Sequence, residues 1–94
     1  MAMMVLVAYD VVANSRRARV AARLQEWGSR LQKSVFLLEL DKEDLEALKV
    51  RIASLIDDGE DSIFYLPICT RCLAGIEEVG QAEIPEKDVG WFIA

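Results

Sequence analysis

Histidine is absent from the 94 residues, cysteine and proline occur twice each, and glycine occurs five times. Without histidine there can be no Ser-His or Cys-His nucleophile pair, no histidine zinc site and no histidine general base. Any hydrolytic chemistry must therefore rest on carboxylates working with a metal ion. No uncharged run approaches the roughly 20 residues that cross a bilayer, and the apolar start from Met1 to Tyr9 has neither a basic n-region nor a small-residue cleavage site. The expectation is a cytoplasmic protein with no membrane partner.

What is present is a globular composition, 53% hydrophobic and 29% charged. A chain of this size forms one domain and buries only about 60 to 65% of its unfolded surface, a shortage that a second copy would relieve. The net charge of −5 conceals an asymmetry. Residues 1–38 carry six basic side chains against two acidic ones, and the remainder carries the opposite excess. The acidic total argues against indiscriminate nucleic-acid binding, yet a local arginine cluster can still hold phosphate.

Met4 to Tyr9 is a continuous apolar and β-branched run, the pattern of a buried strand, and Asp10 stands at its end. Asn14 and Ser15 suit the N-cap of a helix from Arg16, with Val20, Leu24 and Trp27 on one face and Gly28 as its stop. Arg30 to Leu40 is extended, as one strand or as two divided near Lys33 and Ser34. Asp41 caps a second helix in which Leu45, Leu48, Ile52 and Leu55 recur up to Asp57-Asp58-Gly59. Ser62 to Pro67 reads as a further strand, with Pro67 at its end or on an edge. Ile76 to Val79 suggests a short strand, Gly80 to Gly90 a loop or arm, and Trp91-Phe92-Ile93 a docking tail. This order fits an α+β sandwich of ferredoxin-like type, with two helices on one face of a mostly antiparallel sheet. The cheapest cover for the other face is a second copy, giving a homodimer with sheets face to face. The domain spans 1–94, with a core of about 3–72 and a C-terminal strand and arm of about 73–94.

Asp10, at a strand end beside a loop, either caps the following turn or acts as a ligand. Across a two-fold axis, two copies of it would form a hard-oxygen site for Mg²⁺ or Mn²⁺, an ion that polarises phosphate and acidifies bound water. Arg16, Arg19 and Arg23 recur on one helical face with Arg17 beside them. They form either a solvated face or a stripe that tracks a phosphate backbone without reading bases. Tyr9, Phe36 and Tyr65 suit a core better than a stacking platform. Cys69-Thr-Arg-Cys72 has the spacing of half a zinc knuckle but no further ligands. A redox pair of this spacing sits where a strand enters a helix, and Leu73-Ala-Gly begins no evident helix. Two reduced thiols without an essential role are expected, with zinc shared across a dimer or a redox role as the alternatives.

An apolar strand ending in Tyr9-Asp10, then Arg17-Ala-Arg19-Val20, then Arg30-Leu-Gln-Lys-Ser34-Val-Phe36, together with Leu-Pro-Ile-Cys-Thr-Arg-Cys, resembles the CRISPR-associated Cas-two family of spacer-acquisition proteins. The resemblance extends from Met3 to about Cys72. It implies a ferredoxin-like homodimer whose two Asp10 copies face each other and hold Mg²⁺ or Mn²⁺. It also implies a C-terminal strand, here around Ile76 to Val79, that pairs with the partner's sheet. The implied activity is metal-dependent cleavage of single-stranded RNA or duplex DNA, with Asp10 catalytic and metal-binding. Tyr9, Arg16, Arg17, Arg19, Arg30, Ser34 and Phe36 are the expected substrate-binding set, of which Arg17, Arg19, Arg30, Ser34 and Phe36 match family positions. The alternative implied by the same family is a non-catalytic bridge between dimers of the Cas-one integrase. A small-molecule regulatory domain is disfavoured by the lack of a glycine-rich ligand loop.

Overall fold

The apolar run at the start of the chain forms a central strand, β1 (Met3–Asp10), in a computed structural model that describes residues 2–84. The helix α1 (Asn14–Gln25) follows, then β2 (Gly28–Gln32), β3 (Val35–Leu40), α2 (Lys42–Ala53), β4 (Ser62–Ile68) and a short helix α3 (Thr70–Ala74). The sheet order is β2-β3-β1-β4 with every neighbouring pair antiparallel. A strand-helix-strand order repeated twice, with the first strand inside the sheet, is the ferredoxin-like sandwich.

Alternation along β1 divides the interior in two. Val5, Val7 and Tyr9 share a face with Phe36, Leu38 and Leu40 of β3, and Val20 and Leu24 of α1 and Leu45, Leu48 and Ile52 of α2 close over them. On the opposite face Met4 and Leu37 are buried by Leu73 of α3 and by Ile84. The helix α2 begins where expected, with the Asp41 carboxylate accepting from the Asp44 amide at 2.8 Å. It ends at Ala53, short of the acidic loop, although Leu55 still packs on the core.

Several expectations change. The Arg30 to Leu40 stretch is a hairpin, two strands joined through Lys33 and Ser34. Helix α1 starts at Asn14 behind an N-cap Ala13 that makes no side-chain bond, so neither Asn14 nor Ser15 is the cap. Gly28 does not stop that helix but opens β2, where a Cβ would stand 1.9 Å from the Leu37 carbonyl oxygen. Close approach of two backbones, not a helix end, demands glycine there. Gly28→Ala is accordingly expected to cost about 1–3 kcal/mol, read as a lower urea midpoint.

Residues 76–79 form no strand within the chain. Both edges of β1 are occupied, by β3 and β4, and these residues join neither outer edge of the sheet. The α3 helix was not expected, because five residues are too few to show a helical period. The tail Trp91-Phe92-Ile93 and the far part of the arm, Pro85 included, lie outside the described residues. Among the described residues no helix is long and apolar enough to cross a membrane.

Candidate active site

β1 delivers Asp10 to its C-terminal end, paired in register with Ser62 of β4 and exposed. Among the described residues its carboxylate has no hydrogen bond or ion pair. Beside it opens a cleft of about 450 Å³ whose lining includes Asp10, Asn14, Arg17, Arg30, Lys33 and Ser34. Three cationic side chains thus line one cleft together with an unengaged carboxylate. That combination attracts a phosphate while keeping an anionic oxygen free for a cation.

Each wall is held by specific contacts. Tyr9, buried under the cleft, donates its hydroxyl to the Lys33 carbonyl at 3.3 Å, and its amide donates to the Ser34 carbonyl at 3.0 Å. The hairpin turn is thereby tied to the end of β1. Arg30 lies over the Phe36 ring, 5.0 Å from its centroid, and gives Nη1 to the Lys33 carbonyl at 3.2 Å. Phe36 itself has no exposed surface and stacks on Tyr9 with ring centroids 6.2 Å apart. Its ring is therefore a floor beneath Arg30. On the opposite wall Arg17 donates Nε to the Val11 carbonyl and Nη2 to the Val12 carbonyl, both at 3.0 Å.

The arginines of α1 do not form one continuous stripe. Arg16 turns toward the loop before β4, with Nε 2.8 Å from Asp61 Oδ2 and Nη2 3.1 Å from Glu60 Oε2. Arg19 sits with Arg23 and Arg51 around a shallow depression of about 150 Å³ between the helices, where Arg23 pairs with Glu26 at 3.2 Å. Of the expected substrate-binding residues, Tyr9, Arg17, Arg30 and Ser34 gather with Asp10. Arg16, Arg19 and Phe36 lie apart from the cleft surface.

Asp61 was not singled out from the sequence. Its side chain is fully buried and accepts from Arg16, from the Val12 amide at 2.9 Å and from the Asp57 amide at 2.8 Å. These bonds fix the β1–α1 loop whose carbonyls hold Arg17. Nothing local distinguishes Asp61 within the acidic run, since its partner Arg16 is 45 residues away. The hydrogen bond from Arg16 is the main cause that holds the Asp61 carboxyl well below the usual carboxylate range, helped by the two amides. A depressed folded-state pKa contributes stability above the unfolded value, near 4, that is lost as pH falls through the folded one. Asp61→Asn is expected to lower the melting temperature at neutral pH and to flatten its decline below about pH 4, as thermal scans across pH would read.

For a metal, one chain supplies a single carboxylate with the Asn14 amide nearby, hard-oxygen donors of the kind Mg²⁺ takes alongside water. Among the described residues no group of three His, Cys, Asp or Glu could hold an ion. Asp10 shares its strand parity with Leu6 and Ala8, whose register partners include the exposed Leu66 and Phe64, so it leaves the sheet on the side of an apolar surface.

Residues 3–76 match the family described as CRISPR associated protein Cas2. The chain is 36% identical over 91 residues to a protein of Archaeoglobus fulgidus named CRISPR-associated endoribonuclease Cas2 1, covering 93% of this chain and 97% of that one. It is 35% identical over 83 residues to the CRISPR-associated endonuclease Cas2 of Halalkalibacterium halodurans, covering 83% of this chain and 86% of that one. Among solved structures, Streptococcus pyogenes Cas2 superposes with a TM-score of 0.78 at 31% identity over 83% of this chain and all of that one.

Proposed function

The chain belongs to the CRISPR associated protein Cas2 family, and on that premise we propose that it is a metal-dependent endonuclease of spacer acquisition, active as a homodimer. The observation that carries this reading is the position of Asp10, unengaged, beside cations, on the sheet side where Phe64 and Leu66 are 72% and 56% exposed. Burying that apolar surface against a second copy stabilises the dimer by removing it from water. The same packing turns the two Asp10 carboxylates toward the axis, and together they would hold Mg²⁺ or Mn²⁺. When bound, that ion supplies positive charge at a phosphate and acidifies a water. Arg17 and Arg30 bind and orient the phosphodiester with guanidinium forks and offset charge that builds on its oxygens, and Lys33 adds a point charge. The Tyr9 and Phe36 contacts keep Arg30 and the hairpin turn in place.

The relatives carry both endoribonuclease and endonuclease names, so the test offers both substrates. Labelled single-stranded RNA and duplex DNA are incubated with purified chain and Mg²⁺, Mn²⁺ or EDTA. Cutting with a divalent ion that stops in EDTA is the expected result. No cutting of either substrate by an intact dimer overturns the nuclease reading.

A second reading, a scaffold that holds duplex DNA between Cas-one integrase dimers, is favoured by the Arg19, Arg23 and Arg51 group on the helical side, away from Asp10. It predicts that the slope of log affinity against log salt falls by about 1 for each of Arg19→Ala and Arg51→Ala. An unchanged slope removes these residues from the DNA surface.

A further inference from the structure

The cysteine pair lies outside the cleft and has no part in the chemistry above. Cys69 directly follows β4 and serves as the residue before α3, so the strand-to-helix setting missing from the sequence pattern is present in the fold. The two sulfurs are 3.2 Å apart, and the Cys72 amide donates to Cys69 Sγ at 3.3 Å. A disulfide bond is about 2.05 Å long, so small side-chain rotations would close the pair. Both residues are exposed. They are nevertheless held in place, because the adjacent Leu73 is fully buried against Met4, Leu37 and Ile84. Within one chain they are two ligands only, since it has no third cysteine and no histidine, and among the described residues no cluster of three ligands exists.

We propose that Cys69 and Cys72 form a redox-active dithiol that exchanges with small-molecule disulfides, Cys69 being the attacking sulfur and Cys72 the resolving one. The Cys69 thiolate attacks one sulfur of the small disulfide, whose other half leaves as a thiolate and takes up a proton, and a mixed disulfide remains on Cys69. Cys72 then loses its proton and attacks Cys69 Sγ, expelling the second half as a thiol. Two electrons and two protons pass from the pair to the small disulfide, which is reduced to two thiols. The assignment of roles follows the hydrogen bonds. The Cys72 amide, then the Cys72 thiol, stabilise charge on Cys69 and lower its pKa, with Arg71 assisting. The hydrogen bond shared with Cys69, and then the charge on that sulfur, raise the Cys72 pKa.

The test equilibrates the full chain with graded mixtures of glutathione and glutathione disulfide, quenches with acid, alkylates free thiols and reads the intact mass. Both thiols are expected to disappear together with loss of two hydrogen masses per chain, and dithiothreitol to restore them. Cys72→Ser should accumulate one glutathione adduct on Cys69, and Cys69→Ser should react at least about tenfold more slowly. Thiols that stay open to alkylation at every ratio, or disulfides that link two chains, overturn the dithiol. Equal rates for the two serine variants overturn the assignment of Cys69 as the attacking sulfur.

Discussion

Asp10→Asn is expected to lower the cleavage rate more than about a hundredfold while leaving the fold and the dimer unchanged. Outer partners of metal ligands already cost about 10- to 100-fold when removed, and a direct ligand contributes more. The substitution keeps shape and exchanges an anionic oxygen for a neutral amide, weakening a hard cation's site without opening a gap. It should be silent for stability because Asp10 is exposed and makes no hydrogen bond or ion pair among the described residues. Single-turnover cleavage with Mg²⁺, a melting curve and size-exclusion chromatography together give the answer. Full activity in a preparation free of contaminating nuclease would remove Asp10 from the metal site. Lost activity with an altered dimer would show a structural role instead.

Phe36→Ala is expected to destabilise the chain by about 3–5 kcal/mol. The ring is completely buried, stacks on Tyr9 and carries Arg30 above it, so truncation opens a cavity in the main core and leaves the arginine without its support. Small domains are stable by only about 5–15 kcal/mol. The loss therefore approaches the whole margin, and urea unfolding should show a midpoint displaced far toward zero. Phe36→Leu separates the two roles, since it retains most of the buried volume but presents no aromatic face to the guanidinium. It should fold near wild type and bind nucleic acid more weakly. A Phe36→Leu variant with unaltered affinity would mean that Phe36 serves the core alone.

The central strand, the second helix and the ferredoxin-like order were legible in the sequence because they rest on local chemistry: a β-branched run, an Asp41 cap with acids behind it, a helical repeat of leucines. Asp10 could be singled out for the same reason, as a charge where an apolar run ends. The hairpin remained open because Lys33 and Ser34 lack a glycine or proline to mark the turn, and what secures it is distant bonding to Tyr9. Gly28 was legible as a constraint but misread in kind, since only the pairing of β2 with β3 puts a carbonyl where its Cβ would be.

Charge was decided by the tertiary structure. By position on α1, Arg16 and Arg19 look equivalent, yet Arg16 is committed to Asp61 and Glu60 across 45 residues while Arg19 stays exposed. Arg17 of the helix and Arg30 and Lys33 of the hairpin come from two separate stretches and share a cleft with Asp10 only because β1 lies beside both the hairpin and the helix start. The cysteine pair follows the same rule. Its spacing was plain in the sequence, whereas the 3.2 Å separation of its sulfurs depends on a five-residue helix held by one buried leucine. Hydrophobic periodicity is written locally and determines which elements form; the meeting of charges and thiols depends on packing between segments far apart in the chain.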